Sequence, residues 1–189
     1  YLEILCPSLP HTNDESPRSM IDIGANLTNS VFTDDLGEVL NRAKREGVQH
    51  IVVTGTNIQE SQYAIALAAK HGAYLSATVG IHPHDADHVK PGWLDTLEGL
   101  TSSPHVVAVG EMGLDFYRNH SERDAQRQVF EAQLDLAARI ALPVFVHDRD
   151  TDGEVLAVLR RYAPTKCVVH CFTGNSDELD GFIAEDFYI

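Results

Sequence analysis

From Met20 onward the chain alternates short apolar runs with segments whose apolar residues recur at helical spacing. Runs such as 106–109 and 144–146 are apolar at every position, which is typical of parallel strands buried on both faces. Segments such as 121–141 repeat apolar residues every three or four positions, which predicts amphipathic helices. The pattern predicts six strand–helix units, followed at 186–189 by the opening of a seventh strand.

The element boundaries follow from local signals at the ends of each run. Asn57 and Glu60 have the spacing of a capping box at the start of the second helix. Ser121 is predicted to cap the longest helix, and Gly47 to end the first one. The predicted strands are 21–27, 50–55, 74–81, a strand from 106 that carries Glu111, a strand ending at His147 and a strand ending at His170; the predicted helices begin at Thr33 or Asp34 and then near 57, 92, 121, 154 and 177.

This count predicts an α/β fold of the (β/α)8 or TIM-barrel type, incomplete in this chain. Eight units close such a barrel over about 250 residues, and about six units with the start of strand seven lie within 20–189. An open doubly wound sheet is the alternative, but no glycine-rich phosphate turn follows the first strand. Residues 1–19 carry Pro, Ser and Asn without period and are expected to be a disordered or non-native extension, with Met20 as the natural start.

Charge and hydropathy narrow the classes of function. The formal net charge is −14, which argues against a broad surface that coats duplex DNA, because such surfaces need Lys and Arg against the phosphates. A nucleic-acid substrate gripped at one end by metal ions is compatible with this charge, since bound cations invert the local field. No run approaches the roughly 18 apolar residues of a membrane span, so no membrane partner is predicted.

The cysteines bear on the cellular compartment. Cys167 and Cys171 are four residues apart on a predicted strand, a separation of about 13 Å that is too long for a disulfide. Both are predicted to be buried thiols on the helix-facing side of that strand. With Cys6 as the third cysteine and no basic, apolar start resembling a secretory signal, the sequence predicts a reduced, cytoplasmic protein.

Four successive strands each deliver one side chain suited to metal binding or acid–base chemistry. His82 follows the third strand, Glu111 lies on the fourth, and His147 and His170 end the fifth and sixth. Because the carboxyl ends of parallel strands share one face of a barrel, these side chains are predicted to converge there. Histidine and glutamate are ligands for a divalent ion that activates water.

Further charged residues lie close to these positions in the sequence. Arg149 follows His147 closely and has the chemistry to clamp an anionic oxygen, although a surface salt bridge explains it equally well. The other candidate neighbours of the pocket are His84, Asp85, Asp115 and Arg118.

Six motifs together resemble the TatD family of metal-dependent deoxyribonucleases. They are IDIGANLT (21–28), VTGTN (53–57), VGIHPHD (79–85), VGEMGLDF (109–116), PVFVHDRD (143–150) and VVHCFTG (168–174), in order and with natural spacing from Met20 to Ile189. The resemblance implies a metallohydrolase barrel that cleaves phosphodiester bonds as a 3′→5′ exonuclease on DNA and, in some members, on RNA. The acidic charge predicts that such a site prefers a single strand or strand end to extended duplex.

The resemblance also implies roles for individual residues. Glu111 matches the carboxylate that binds and often bridges the metal ions, and His147 and His170 match the imidazole ligands. His82 matches the histidine that helps to hold the scissile phosphate. Glu111 and His82 are therefore the catalytic candidates, with Arg149 and Asn26 as further candidates for contact with the phosphate.

Two departures from the family pattern affect the expected metal chemistry. Many relatives begin with Asp-x-His-x-His, whereas Gly24 and Asn26 occupy the histidine positions here, as in the TatD type proper. The side-chain amide oxygen of Asn26 favours hard ions, so Mg²⁺ is the expected metal. Mn²⁺ and Zn²⁺ are the alternatives, because the remaining histidines favour softer ions. The family's last ligand, an aspartate on strand eight, has no counterpart, and this chain is expected to be inactive by itself.

Two other functions are compatible with the same residues. The first is a barrel metallohydrolase that acts on a small amide, lactone or cyclic ester, because the same ligands support those reactions. The second is a catalytically inactive, truncated barrel that binds metal or a protein partner.

Overall fold

The computed structural model describes residues 19–189, and the extension predicted at 1–19 lies almost wholly outside them. The strands are β1 Met20–Ala25, β2 Val48–Val53, β3 Leu75–Val79, β4 Val106–Asp115, β5 Val144–Arg149 and β6 Cys167–His170. The helices are α1 Leu36–Arg45, α2 Ile58–Lys70, α3 Trp93–Thr101, α4 Arg123–Ile140, α5 Glu154–Tyr162 and α6 Ser176–Ala184, with 3₁₀ turns at Ser30–Phe32 and Pro83–His88.

The strands form one parallel sheet whose spatial order follows the sequence from β1 to β6. This order, with a helix between each pair of strands, is that of a TIM barrel and confirms the predicted fold class. Tyr188 makes a single parallel bridge with Val168 beside β6, where the start of strand seven was predicted. None of the helices in residues 19–189 is long and apolar enough to cross a membrane.

The core lies mainly between the sheet and its helices. Met112 and Leu114 on β4 pack with Phe130 and Leu134 on α4 in the largest cluster of buried residues. A second cluster joins α1 and α2 to β2 and β3. Because the helices bury these apolar stripes against the sheet, the strand ends are free to carry polar side chains.

The sheet curls far enough to bring β1 against β5 across its inner face. A Cβ atom built on Gly24 would lie 2.6 Å from the Phe145 ring, and Gly24 has φ +105°. Only glycine adopts that backbone conformation without strain and also leaves room for the ring. The Phe145 ring therefore occupies the space that a side chain at position 24 would need.

Two strands extend farther beyond their candidate site residues than the apolar runs of the sequence indicate. β4 continues past Glu111 to Asp115, and β5 continues past His147 to Arg149. The extra residues pair with each other, with Gly113 opposite His147 and Asp115 opposite Arg149. A polar residue interrupts an apolar run and so resembles a strand end in the sequence, whereas the backbone hydrogen bonds of the sheet continue past it.

The predicted cap at Ser121 is also wrong. The residue preceding α4 is Glu122, and no side chain caps that helix. The Ser121 hydroxyl instead donates to the backbone oxygen of His84 at 2.9 Å and accepts from Asp87 N at 3.2 Å. Ser121 therefore joins the loop after β3 to the start of α4. The Asn57 cap was correct, since its side chain accepts from Glu60 N at 2.9 Å.

Candidate metal centre

Three imidazoles converge on one carboxylate oxygen at the carboxyl ends of the strands. Glu111 Oε1 lies 3.0 Å from His147 Nδ1, 3.2 Å from His82 Nε2 and 2.5 Å from His170 Nε2. His82 and His147 are themselves 3.3 Å apart between ring nitrogens. The structure therefore brings together the four residues that the sequence assigned to four different strands.

A second carboxylate lies directly behind this cluster. Asp115 is fully buried, and its Oδ2 lies 3.2 Å from His147 Nε2 and 2.8 Å from His84 Nε2. Its Oδ1 accepts the backbone N–H groups of Tyr117 and Arg118. Asp115 is thus held on both oxygens, and it fixes the ring of His147 with Nδ1 towards Glu111.

Both carboxylates are held in the charged form. Burial by itself would raise the pKa of Glu111, but hydrogen bonds from His147, His170 and His82 outweigh it and hold the pKa far below the usual range. Burial likewise opposes ionisation of Asp115, and the backbone N–H of Arg118 and the bond from His84 lower its pKa overall. The site presents fixed negative charge, which attracts a cation.

The backbone around the cluster is held closely by its neighbours. A Cβ atom on Gly80 would lie 2.5 Å from the backbone of Gly110, so β3 and β4 meet directly just before His82 and Glu111. Glu111 N also donates to Gly55 O at 2.9 Å. These contacts fix the direction in which the strands deliver their side chains.

Two buried glutamines on α4 clamp the strand ends, and the sequence analysis missed both. Gln133 accepts from Ile81 N at 2.8 Å and donates to Ile81 O at 3.0 Å. Gln126 binds the backbone of Asp115 in the same way. Its side-chain oxygen accepts from Asp115 N at 2.9 Å, and its side-chain nitrogen donates to Asp115 O at 3.3 Å. A signal was available, because both glutamines fall at helical spacing on the apolar stripe of α4.

Within residues 19–189, neither Arg149 nor Asn26, the further residues expected to contact phosphate, has a side-chain hydrogen bond to the cluster. Arg149 is half-buried, its guanidinium stacks over Tyr117 at 4.6 Å, and its Nε has no hydrogen-bond partner within residues 19–189. Asn26 is exposed just after β1 and accepts from Thr28 Oγ1 at 3.3 Å. In the described part of the chain Asn26 makes no hydrogen bond to the four clustered residues.

The other predicted neighbours divide into two groups. His84 and Asp115 join the cluster, as described above. Asp85 does not, since its carboxylate accepts from Asn57 at 3.0 Å and lies 3.8 Å from His88. His120 was not predicted, yet its ring lies 4.6 Å from that of His84.

Cys171 is not the buried, helix-facing thiol that the sequence predicted. β6 ends at His170, and Cys171 is exposed with φ +54°. Its sulfur lies in a group with the ring nitrogens of His147 and His170. Partial desolvation of the sulfur, and then the charge of Glu111, raise the pKa of this thiol. Cys167 is buried as predicted.

The side-chain donor atoms of the cluster lie close enough together for several of them to bind the same cation. The ligand atoms of His82, Glu111 and His147 all lie within 4.8 Å of one another, and so do those of His147, His170 and Cys171. Imidazole and carboxylate donors about 2.0–2.2 Å from an ion produce separations of this order. The residues present therefore fit a divalent metal centre.

Comparison with known proteins agrees with this geometry. The family model described as TatD related DNase matches residues 21–189. The chain belongs to the TatD family. A 3′-5′ ssDNA/RNA exonuclease TatD from Erwinia billingiae is 48% identical over 167 residues, which are 87% of this chain and 64% of that protein. One from Edwardsiella piscicida is 46% identical over 172 residues, 90% of this chain and 66% of that protein.

Solved structures in the TatD family have the same fold. A TatD family hydrolase from Entamoeba histolytica superposes with a TM-score of 0.82 at 30% identity, over 90% of this chain and 64% of that one. A TatD homologue from Escherichia coli also gives 0.82 at 30% identity, over 88% of this chain and 65% of that one. The chain thus spans slightly less than two thirds of each relative described here.

Proposed function

We propose that this protein hydrolyses phosphodiester bonds in single-stranded DNA or at a DNA strand end, in the 3′→5′ direction, with a bound divalent metal. RNA is a second substrate on this proposal, because the relatives from Erwinia and Edwardsiella are named as exonucleases of both. The observation that carries the proposal is the convergence of His82, His147 and His170 on one oxygen of Glu111.

Glu111, His147 and His170 are proposed to hold the metal, and Mg²⁺ is the proposed ion, with Mn²⁺ or Zn²⁺ as substitutes. A divalent cation at these donors supplies Lewis-acid activation of water and neutralises charge on the phosphate. The strongly lowered pKa of Glu111 supports this role, since the carboxylate stays ionised for a cation throughout the physiological range.

His82 is proposed to orient the scissile phosphate. Its Nδ1 accepts from His84 N at 3.1 Å, so in the neutral ring the proton resides on Nε2, which points into the site. That N–H donates to Glu111 in this structure and has the chemistry to donate to a phosphate oxygen. Arg149 and Asn26 are proposed as further phosphate contacts, because the side chain of Arg149 is only half-buried and that of Asn26 is exposed.

The compartment is proposed to be the reducing cytoplasm. Cys167 and Cys171 are both free thiols in the described chain, and free thiols persist where glutathione and thioredoxin keep them reduced.

The direct test is a gel assay on the full-length protein with a 5′-labelled single-stranded oligonucleotide and Mg²⁺, Mn²⁺ or Zn²⁺. We expect a ladder that shortens from the 3′ end only when metal is present. His147→Ala should lower the rate at least about 100-fold. His105→Ala is the matched control, because His105 precedes β4 at the opposite end of the sheet and should leave the rate unchanged.

A circular single strand separates exonuclease from endonuclease, and only the linear substrate should be degraded. An intact oligonucleotide with every ion would overturn the DNA activity. An uncharacterized amidohydrolase from Saccharomyces cerevisiae superposes with a TM-score of 0.79 at 25% identity, so small amides and esters are the substrates to try next. Tight metal binding without any turnover would favour an inactive binding protein instead.

A further inference from the structure

The side chain of Cys171 lies in a different position from the one it would have if β6 continued past His170. Successive side chains of a strand point to opposite faces, so an extended residue after His170 would carry its sulfur away from the site. Cys171 instead adopts φ +54°, and its Sγ lies within 4.8 Å of the ligand nitrogens of both His147 and His170. The side chain is also exposed, so an ion can reach it from solvent.

His147 is shared between two groups of donors with different chemistry. With His82 and Glu111 it belongs to a group of two nitrogens and one oxygen, whereas with His170 and Cys171 it belongs to a group of two nitrogens and one sulfur. Carboxylate oxygens suit hard ions such as Mg²⁺ and Mn²⁺, while thiolates select zinc-like, thiophilic ions. One histidine cannot serve both groups with the same nitrogen at once.

We propose that Cys171, His147 and His170 form a second metal position that binds thiophilic divalent cations of the Zn²⁺ class. On binding, the thiol releases its proton to solvent and the sulfur coordinates the ion without any redox change. This position shares His147 and His170 with the site proposed for Mg²⁺, since both rings also contact Glu111 Oε1, so the two ions compete for the same ligands. A zinc-class ion bound there should therefore inhibit hydrolysis supported by Mg²⁺, and this consequence rests on the proposed nuclease function.

The test uses Co²⁺ as a spectroscopic substitute for Zn²⁺. The full-length protein carrying Cys6→Ser is titrated with Co²⁺, and the near-ultraviolet band for charge transfer from sulfur to cobalt is followed. We expect the band in this parent and in Cys167→Ala, and its loss in Cys171→Ser and in His170→Ala. Addition of Zn²⁺ should displace the cobalt and abolish the band.

Cys167→Ala is the matched control because it removes the thiol on β6 while leaving the three proposed donors in place. Absence of the band in the parent, whether or not cobalt binds elsewhere, would overturn the proposal. Its persistence in Cys171→Ser, or its loss only in Cys167→Ala, would do so too. Cys171 is exposed, so Cys171→Ser should fold, and circular dichroism checks this.

A competition assay then separates this inference from the nuclease proposal. Zn²⁺ is added to the Mg²⁺-supported reaction, and the concentration for half-inhibition should rise at least about tenfold in Cys171→Ser, as expected for loss of one ligand. Cleavage in Mg²⁺ without the cobalt band would refute only the second metal position. The cobalt band without cleavage in any metal would retain the position and refute the nuclease.

Discussion

Asp115 Oδ2 lies 3.2 Å from His147 Nε2, on the opposite side of the ring from Glu111. The same oxygen lies 2.8 Å from His84 Nε2. A carboxylate behind a ligating histidine fixes the ring's orientation and tautomer and raises its basicity as a ligand. Asp115 therefore determines which nitrogen His147 presents to the metal site, although it does not itself reach that site.

Replacing Asp115 with Asn should weaken divalent metal binding about 10–100-fold, because the amide no longer fixes His147 by charge. Isothermal titration with Mn²⁺ measures the affinity directly. Asp180→Asn, on the exposed surface of α6, is the matched control and should bind as the parent does. Equal affinities in the two variants would show that Asp115 has a structural role only.

Gln133→Leu should lower the free energy of unfolding by about 2 kcal/mol or more. The leucine fills the space, but the N–H and C=O groups of Ile81 lose their partner, and each unsatisfied buried group costs about 1–3 kcal/mol. Urea unfolding gives the difference. Gln128→Leu is the control on the exposed face of the same helix and should change stability by less than about 0.5 kcal/mol.

Gly24→Ala should destabilise the protein by about 1–3 kcal/mol, since the new methyl group meets the Phe145 ring and the backbone has positive φ. Gly37→Ala in α1 meets no neighbour within 4 Å and should leave stability unchanged or raise it by up to about 1 kcal/mol. Phe145→Leu combined with Gly24→Ala should recover part of the loss, and additive losses in thermal unfolding would contradict the contact.

Stability should fall above pH 9 because of Cys167. Burial raises the pKa of this thiol from 9.0 to about 12. The buried neutral thiol contributes fully to the free energy of unfolding below pH 9, where the thiol is neutral in both the folded and the unfolded state. This contribution is lost between pH 9 and 12, because the thiol of the unfolded chain ionises first. At pH 10 the loss is about 1.4 kcal/mol. Urea unfolding at pH 8 and 10 should show a loss of stability that is larger in the parent than in Cys167→Ala by about this amount.

The sequence predicted the fold class and the four clustered residues because both follow from local patterns. Apolar runs separated by helical-period segments specify parallel strands, and the carboxyl ends of such strands lie on one face. His82, Glu111, His147 and His170 therefore had to meet once the strands were correctly ordered. The strand ends were less predictable, since Glu111 and His147 interrupt apolar runs without ending the ladder.

Contacts between residues distant in sequence were decided only by the tertiary structure. Gln133 binds the backbone of Ile81, and the Phe145 ring fills the space beside Gly24. The periodicity of the sequence does not show which buried polar side chain hydrogen-bonds to which backbone group, because that depends on how the helix packs on the sheet. The sequence by itself determined which side chains reach the face at the carboxyl ends of the strands. The position of Cys171 and the pairing of Asp115 with His147 were set by one left-handed residue and by packing in three dimensions.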